Sequence, residues 1–118
     1  SDCPLMDRLP DPLLVQLRAA GGIVIDLTVR NLAMSTAMAI EHKRKGDFEQ
    51  QACSERITAR TVELLRLLEP NQVKSRLEIM LEATVNSNGS DMEFIRKWGY
   101  NNEQKLAITS TIYNVAGN

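Results

Sequence analysis

The fold class of this chain is decided by residues 23–45, IVIDLTVRNLAMSTAMAIEHKRK. The β-branched start, residues 23–29, has the composition of a strand. Over the whole stretch, however, apolar side chains recur every three or four residues, which is the spacing of one helix face. The residues on this face are Ile25, Val29, Leu32, Ala33, Thr36, Ala37 and Ile40. Because strands seldom exceed about ten residues, the stretch predicts one long helix of about 35 Å.

The remainder of the chain contains the start and stop signals of further helices. Three pairs have the spacing of a capping box, in which a polar residue is followed three positions later by Glu or Gln: Asp47 with Gln50, Ser90 with Glu93, and Asn101 with Gln104. Pro70 cannot continue the helix before it. Residues 86–89, Asn-Ser-Asn-Gly, predict a turn, and Gly99 is placed where a left-handed helix end is expected.

The N-terminal region predicts an irregular arm and one short helix. Residues 1–10 contain Pro4 and Pro10, whereas Asp11-Pro12 is a favourable helix start that leads into Leu13, Leu14 and Leu17. Gly21-Gly22 ends this helix, so the long helix at about residues 23–45 is predicted to be the second. We therefore expect an all-α, single-domain bundle of five or six helices at residues 11–118, preceded by the arm at residues 1–10.

Composition fits one globular domain. Of 118 residues, 43% are apolar and 25% are charged, which is close to the average for folded chains. Aromatic residues make up only 4%, so the core is expected to consist of aliphatic side chains and Met, as in helix packing. Fourteen basic and 15 acidic residues give a net charge of −1, which supplies no long-range attraction to nucleic acid or anionic lipid. No stretch has the roughly 18 uninterrupted apolar residues of a membrane span, and we expect no membrane partner.

Catalytic groups are scarce. His42 is the only histidine, and acid–base catalysis would require a positioned partner. Neither Met38, one turn away, nor the adjacent Glu41 provides one on the same helix face. Asp26 is the lone acid in an apolar stretch, and we expect it to pair with Arg30 one turn later. The sequence therefore predicts no enzyme, no catalytic residue, no metal and no cofactor.

The two cysteines, Cys3 and Cys53, are too few for a zinc site. We expect two free thiols in a reducing compartment, and therefore a cytoplasmic protein. An exported form with a Cys3–Cys53 disulfide remains open as the alternative.

Lys43, Arg44 and Lys45 form the densest basic run. The structural interpretation of this run is that cations in the last turn of a helix interact favourably with the negative end of its dipole, by about 0.3–1 kcal/mol each. The functional alternative is a small nucleic-acid-binding regulator that uses these three residues against phosphates.

Several apolar residues of the long helix fall outside its main face: Ile23, Val24, Leu27, Met34 and Met38. One layer of helices in so short a chain is not expected to cover all of them, so the remainder predicts an interface, with Met34 and Met38 as partner-binding residues. The first hypothesis is a non-enzymatic helical protein–protein interaction module, an adaptor or regulatory protein that forms a homodimer or binds another protein. A third hypothesis, a helical carrier of an apolar ligand, would be marked by a closed cavity between helices.

Overall fold

The computed structural model describes residues 21–117, which form five α-helices. In chain order these are α1 Gly22–Arg44, α2 Phe48–Leu67, α3 Pro70–Asn86, α4 Met92–Trp98 and α5 Asn102–Ala116. No strand occurs within residues 21–117, and residues 23–29 belong to α1. The all-helical class is therefore confirmed.

The longest of the described helices is α1, with 23 residues. Its predicted place as the second helix is not confirmed, because it is the first helix of the described part. The arm predicted for residues 1–10 and the helix predicted to start at Asp11 lie outside the described residues.

Two of the three predicted capping pairs are present. The carboxylate of Asp47 accepts a hydrogen bond from the backbone N–H of Gln50 at 3.2 Å. Asn101 and Gln104 form a complete capping box: Asn101 Oδ1 accepts from Gln104 N at 2.8 Å, and Gln104 Oε1 accepts from Asn101 N at 2.9 Å. The starts of α2 and α5 are therefore determined by the local sequence.

The predicted box of Ser90 with Glu93 is wrong. The N-cap position of α4 is Asp91, whose side chain makes no capping hydrogen bond. The Asp91 carboxylate is bound by Arg76 instead, and Glu93 accepts a hydrogen bond from Arg96 at 3.1 Å. A contact between distant helices has replaced the local cap.

The breaks between helices fall where the sequence predicts them. Pro70 begins α3 directly after α2, and the side chain of Glu69 caps α3 by accepting from the N–H groups of residues 71 and 72. Ser87 and Gly89 have φ values of +53° and +89° within the predicted turn, and Gly99 ends α4 with φ +62°. A positive φ of this kind favours Gly, or a residue held in a turn.

The helices form a bundle around an aliphatic core. The first two are joined by a short turn at residues 45–47 and pack along each other as an antiparallel hairpin, while α3 and α5 contact α1 on its other side. The side chain of Gln104 ties α5 to α1, because its Nε2 donates to the carbonyl oxygen of Ala37 at 3.0 Å. The buried core consists of Ile25, Val29, Leu32, Ala33, Ala37, Val62, Leu65, Leu68, Val73, Leu77, Met80, Ala83, Ile95, Tyr100, Ile108, Ile112 and Val115.

Candidate interaction surface

The register of the α1–α2 hairpin can be read from a hydrogen bond between its helices. Ser35 Oγ and Thr58 Oγ1 lie 2.7 Å apart, so these residues face each other across the hairpin. Two further hydrogen bonds join the hairpin to α5, from Thr36 Oγ1 to Thr111 Oγ1 at 3.5 Å and from Arg66 Nη2 to the carbonyl oxygen of Asn114 at 3.0 Å. One broad face of the hairpin therefore lies on α5.

The opposite face of the hairpin has its own set of side chains. Successive helical residues are rotated by about 100°, which places one row on each helix away from α5. On α1 this row is Ile23, Leu27, Met34 and Met38, and on α2 it is Cys53, Ile57, Arg60 and Leu64. We call these eight residues the outer groove.

The α1 side of the outer groove is the more exposed. Ile23 and Leu27 keep 72% and 57% of their surface accessible to solvent, whereas Met34 and Met38 are half-buried. The structure thus places both predicted partner-binding residues on this face, one helical turn apart. Among the described helices, those that contact α1 are α2, α3 and α5.

Arg60 contributes a polar group to this apolar surface. Its Nη1 donates to the carboxylate of Glu63, but its Nε is buried and has no hydrogen-bond partner among residues 21–117. A buried donor without a partner costs about 1–3 kcal/mol. An acceptor that reached Arg60 in the groove would recover this cost.

Cys53 is buried in the outer groove and is disulfide-bonded. The expectation of a free thiol is therefore wrong at this position. Cys3 is the only other cysteine of the sequence, and it lies outside the described residues.

The basic run predicted for nucleic-acid binding lies at the C-terminal end of α1. Lys45 Nζ is 3.3 Å from Glu41, and Arg44 is 3.6 Å from Glu41 and 4.0 Å from Glu103. Acidic side chains thus accompany two of the three cations. Lys43 is exposed in the last turn of the same helix, where the helix dipole favours a positive charge.

His42 is partly exposed in the last turn of α1. Its carbonyl oxygen accepts a hydrogen bond from the backbone N–H of Asp47 at 2.9 Å, which helps to close the turn into α2. Within residues 21–117, no group of three His, Cys, Asp or Glu is arranged to hold a metal ion.

The strongest polar cluster of the fold was missed by sequence reasoning. Asp91 is fully buried and accepts two hydrogen bonds from Arg76, through Nη1 and, at 2.8 Å, through Nη2. Arg76 Nε also donates to Asp26 at 2.5 Å, and Arg30 Nε lies 3.5 Å from Asp91. The predicted pairing of Asp26 with Arg30 is wrong, because each takes a different partner on another segment.

This cluster joins α1, α3 and the start of α4. Burial alone would lower the pKa of Arg76, but the hydrogen bonds and charges of Asp91 and Asp26 outweigh it, so the pKa of Arg76 is raised above its usual value. A guanidinium this firmly protonated, with its Nε and both terminal nitrogens bound to carboxylates, serves as a structural tie and not as a proton donor.

Tyr100 is the other perturbed group. Its ring packs edge-on against Phe94, with 6.3 Å between ring centroids, and its hydroxyl is buried without a hydrogen-bond partner in the described part of the chain. Burial raises the pKa of Tyr100 to about 12. The phenol is therefore neutral under ordinary conditions and belongs to the core.

Two clefts in the described part of the bundle open to solvent. One of about 440 Å³ lies between the start of α1 and α3, beside Asp26 and Ile79, and one of about 430 Å³ lies between α2, α3 and the end of α5. An apolar-ligand carrier was expected to show a closed cavity, which these two clefts are not.

The composition of α1 also meets the length and hydropathy criteria of a membrane span. Its most apolar 18-residue window has a mean hydropathy of 1.4, and half of that window is buried against the rest of the bundle. The core helix of a folded domain meets the same criteria.

Comparison with known proteins identifies the family of this chain. A family model described as uncharacterised conserved protein UCP020893 matches residues 1–115. The chain belongs to this family. No curated protein and no solved structure matches the chain. The matched residues include the segment before α1 as well as the helices.

Proposed function

We propose that this protein is a non-enzymatic helical protein–protein interaction module, of the adaptor or regulatory kind, that binds a second copy of itself through the outer groove. The main support is the apolar row on α1, in which the exposed Ile23 and Leu27 continue into Met34 and Met38. An apolar row on an unpartnered helix face is typical of an association surface.

The row is suited to pairing with its own copy. In a two-fold arrangement with antiparallel α1 helices centred near residue 36, Met34 of one copy lies level with Met38 of the other. The same arrangement brings Arg30 within one residue of the level of Glu41, so opposite charges flank the apolar centre. Methionine adapts its shape to its neighbours, which favours self-complementary packing at the two-fold axis.

Light scattering coupled to size-exclusion chromatography over a range of concentrations tests this proposal. The protein is expected to form dimers, and the double variant Met34→Lys, Met38→Lys should weaken dimerisation by tenfold or more, since tenfold corresponds to only about 1.4 kcal/mol. The control is Leu106→Lys, which places the same charge on an exposed apolar residue, 71% accessible, on α5.

Two outcomes would contradict the proposal. One is a protein that remains monomeric at all concentrations; the other is loss of dimers in the Leu106→Lys control with none in the Met34, Met38 variant. Circular dichroism establishes that each variant is folded. We do not favour the basic run as the functional surface, because Glu41 and Glu103 lie within 4.0 Å of its cations.

A further inference from the structure

We propose that a cleft between the end of α3, α4 and the start of α5 binds a small organic monoanion, a carboxylate attached to a short apolar chain. The cleft has a volume of about 350 Å³, which is within the range of ligand pockets. We call it the α4 cleft. None of its lining residues belongs to the outer groove: they are Ala83, Ser87, Met92, Ile95, Arg96, Gly99, Tyr100 and Lys105.

The hydroxyl of Tyr100 is a hydrogen-bond donor that the described part of the chain leaves unused. Tyr100 lines the α4 cleft and is 9% exposed, and its hydroxyl has no hydrogen-bond partner among residues 21–117. Burial raises the pKa of Tyr100 to about 12, so the phenol keeps its proton at neutral pH. Because a buried donor without a partner is unfavourable, an acceptor bound in the cleft would be stabilised by this hydroxyl.

Lys105 places a positive charge on the same cleft. Its side chain is half-buried, and it takes part in none of the ion pairs found within residues 21–117. It ends the first turn of α5, where the helix dipole favours negative charge, and the C-terminal end of α3 at Ser87 offers only the partial charge of a dipole. An anion in the cleft would supply the full counter-charge.

Arg96 is a second cation of the cleft, but its charge is already matched. Its Nη1 donates to the carboxylate of Glu93 at 3.1 Å, and its Nη2 lies 3.5 Å from the sulfur of Met92. Since Arg96 and Glu93 together carry no net charge, the cleft has one uncompensated positive charge, that of Lys105. A monoanionic carboxylate matches this charge, whereas a phosphate dianion does not.

The remaining wall of the α4 cleft suits the apolar part of the ligand. Ala83 has no exposed surface and Ile95 is 5% exposed, while Met92 is half-buried. Methionine adapts its shape to its neighbours, so Met92 can make room for a ligand that reaches the buried hydroxyl of Tyr100. A short aliphatic carboxylate therefore combines the two properties that the cleft requires.

Titration of the whole protein with hexanoate, followed in amide nitrogen–proton NMR spectra, tests the proposal. We expect saturable shifts of the amide signals of Gly99, Tyr100 and Lys105, which line the cleft. Hexanamide is the matched ligand control, because it has nearly the same shape and no charge. It should bind about tenfold more weakly, or less, since hydrogen bonds to a charged acceptor are the stronger ones.

Three variants assign the binding to named side chains. Lys105→Gln should weaken hexanoate binding by about tenfold or more, and Tyr100→Phe by about fivefold, because it removes the hydroxyl and keeps the ring. The control is Lys97→Gln, which removes an exposed cation of α4 that does not line the cleft. Its Nζ lies 5.6 Å from the ring centroid of Trp98, and its loss should leave the affinity unchanged. Circular dichroism establishes that each variant is folded.

Four results would overturn the proposal. They are the absence of saturable shifts up to about 10 mM hexanoate, equal binding of hexanoate and hexanamide, equal affinities of Lys105→Gln and Lys97→Gln, and full affinity in Tyr100→Phe. Each of these results leaves the proposed dimer untouched, because the outer groove lies on α1 and α2 whereas the α4 cleft is formed by α3, α4 and α5.

Discussion

At the scale of single residues, the buried Asp91 is the most consequential side chain of this fold. It accepts from both terminal nitrogens of Arg76 and has no exposed surface. A buried ion pair adds little net stability relative to an apolar pair, but removing one partner leaves an uncompensated charge in the interior. Asp91 therefore holds the start of α4 to α3 and α1.

Asp91→Ala is expected to destabilise the protein by about 3–5 kcal/mol, because the Arg76 guanidinium stays buried without its main acceptor. Urea unfolding followed by circular dichroism measures the change. The control is Asp26→Asn, which removes the more exposed partner of the same arginine and should cost about 0–1 kcal/mol. Equal effects of the two substitutions would contradict the assignment of Asp91 as the principal partner.

Tyr100 predicts a loss of stability in alkaline solution. Its pKa is about 12 in the folded protein and about 10 in an unfolded chain. The stability that it contributes is complete below about pH 10 and is lost as the pH rises towards 12, because the unfolded state releases the proton first. Tyr100→Phe should flatten this part of the stability profile measured by urea unfolding, and the exposed control Tyr113→Phe should leave it unchanged.

The residue scale shows where prediction from sequence succeeds. The caps at Asp47 and Asn101 and the left-handed end at Gly99 depend on neighbours within four positions, and all three are observed. Arg76 falls on the inward face of α3, between Val73 and Met80, which is a signal that it needs a buried acid. Which acid it binds depends on how α3 and α4 dock, and local pattern does not contain that information.

At the scale of elements, α1 explains why composition alone misleads. Its β-branched start has the propensity of a strand, yet its apolar period over 23 residues and its packing against three other helices make it a helix. The apolar residues outside its main face were predicted to form an interface. The contribution of α2 to the same surface was not predicted, because it depends on the register between α1 and α2.

Gln104 joins α5 to α1, so we expect its substitution to destabilise the protein more than the loss of an ordinary helix cap. It completes the capping box of α5 and also donates to the carbonyl oxygen of Ala37 in α1. Asn101→Ala is expected to cost about 1 kcal/mol, whereas Gln104→Ala should cost about 2–3 kcal/mol, because it also leaves a buried carbonyl without its donor. A smaller effect for Gln104→Ala in urea unfolding would argue against the tie between α5 and α1.

At the scale of the whole molecule, the α1–α2 hairpin has two faces with different roles. One is buried against α3 and α5 and accounts for the stable core. The other is the outer groove, with apolar side chains, the disulfide-bonded Cys53 and the Nε of Arg60, which has no hydrogen-bond partner among residues 21–117. The sequence predicted the class of the fold and an excess of apolar surface. It did not predict the disulfide state of Cys53, which depends on the redox environment as well as on geometry.

The central claim is that two copies meet at the outer groove, and spin labels test it most directly. In the Cys3→Ser, Cys53→Ser background, a nitroxide is attached through Asn31→Cys on the outer side of α1, or through Ser110→Cys on α5; both positions are exposed. The account predicts dipolar broadening between copies that grows with concentration for the label at position 31 and is absent at position 110. Broadening at position 110 with none at position 31 would contradict it.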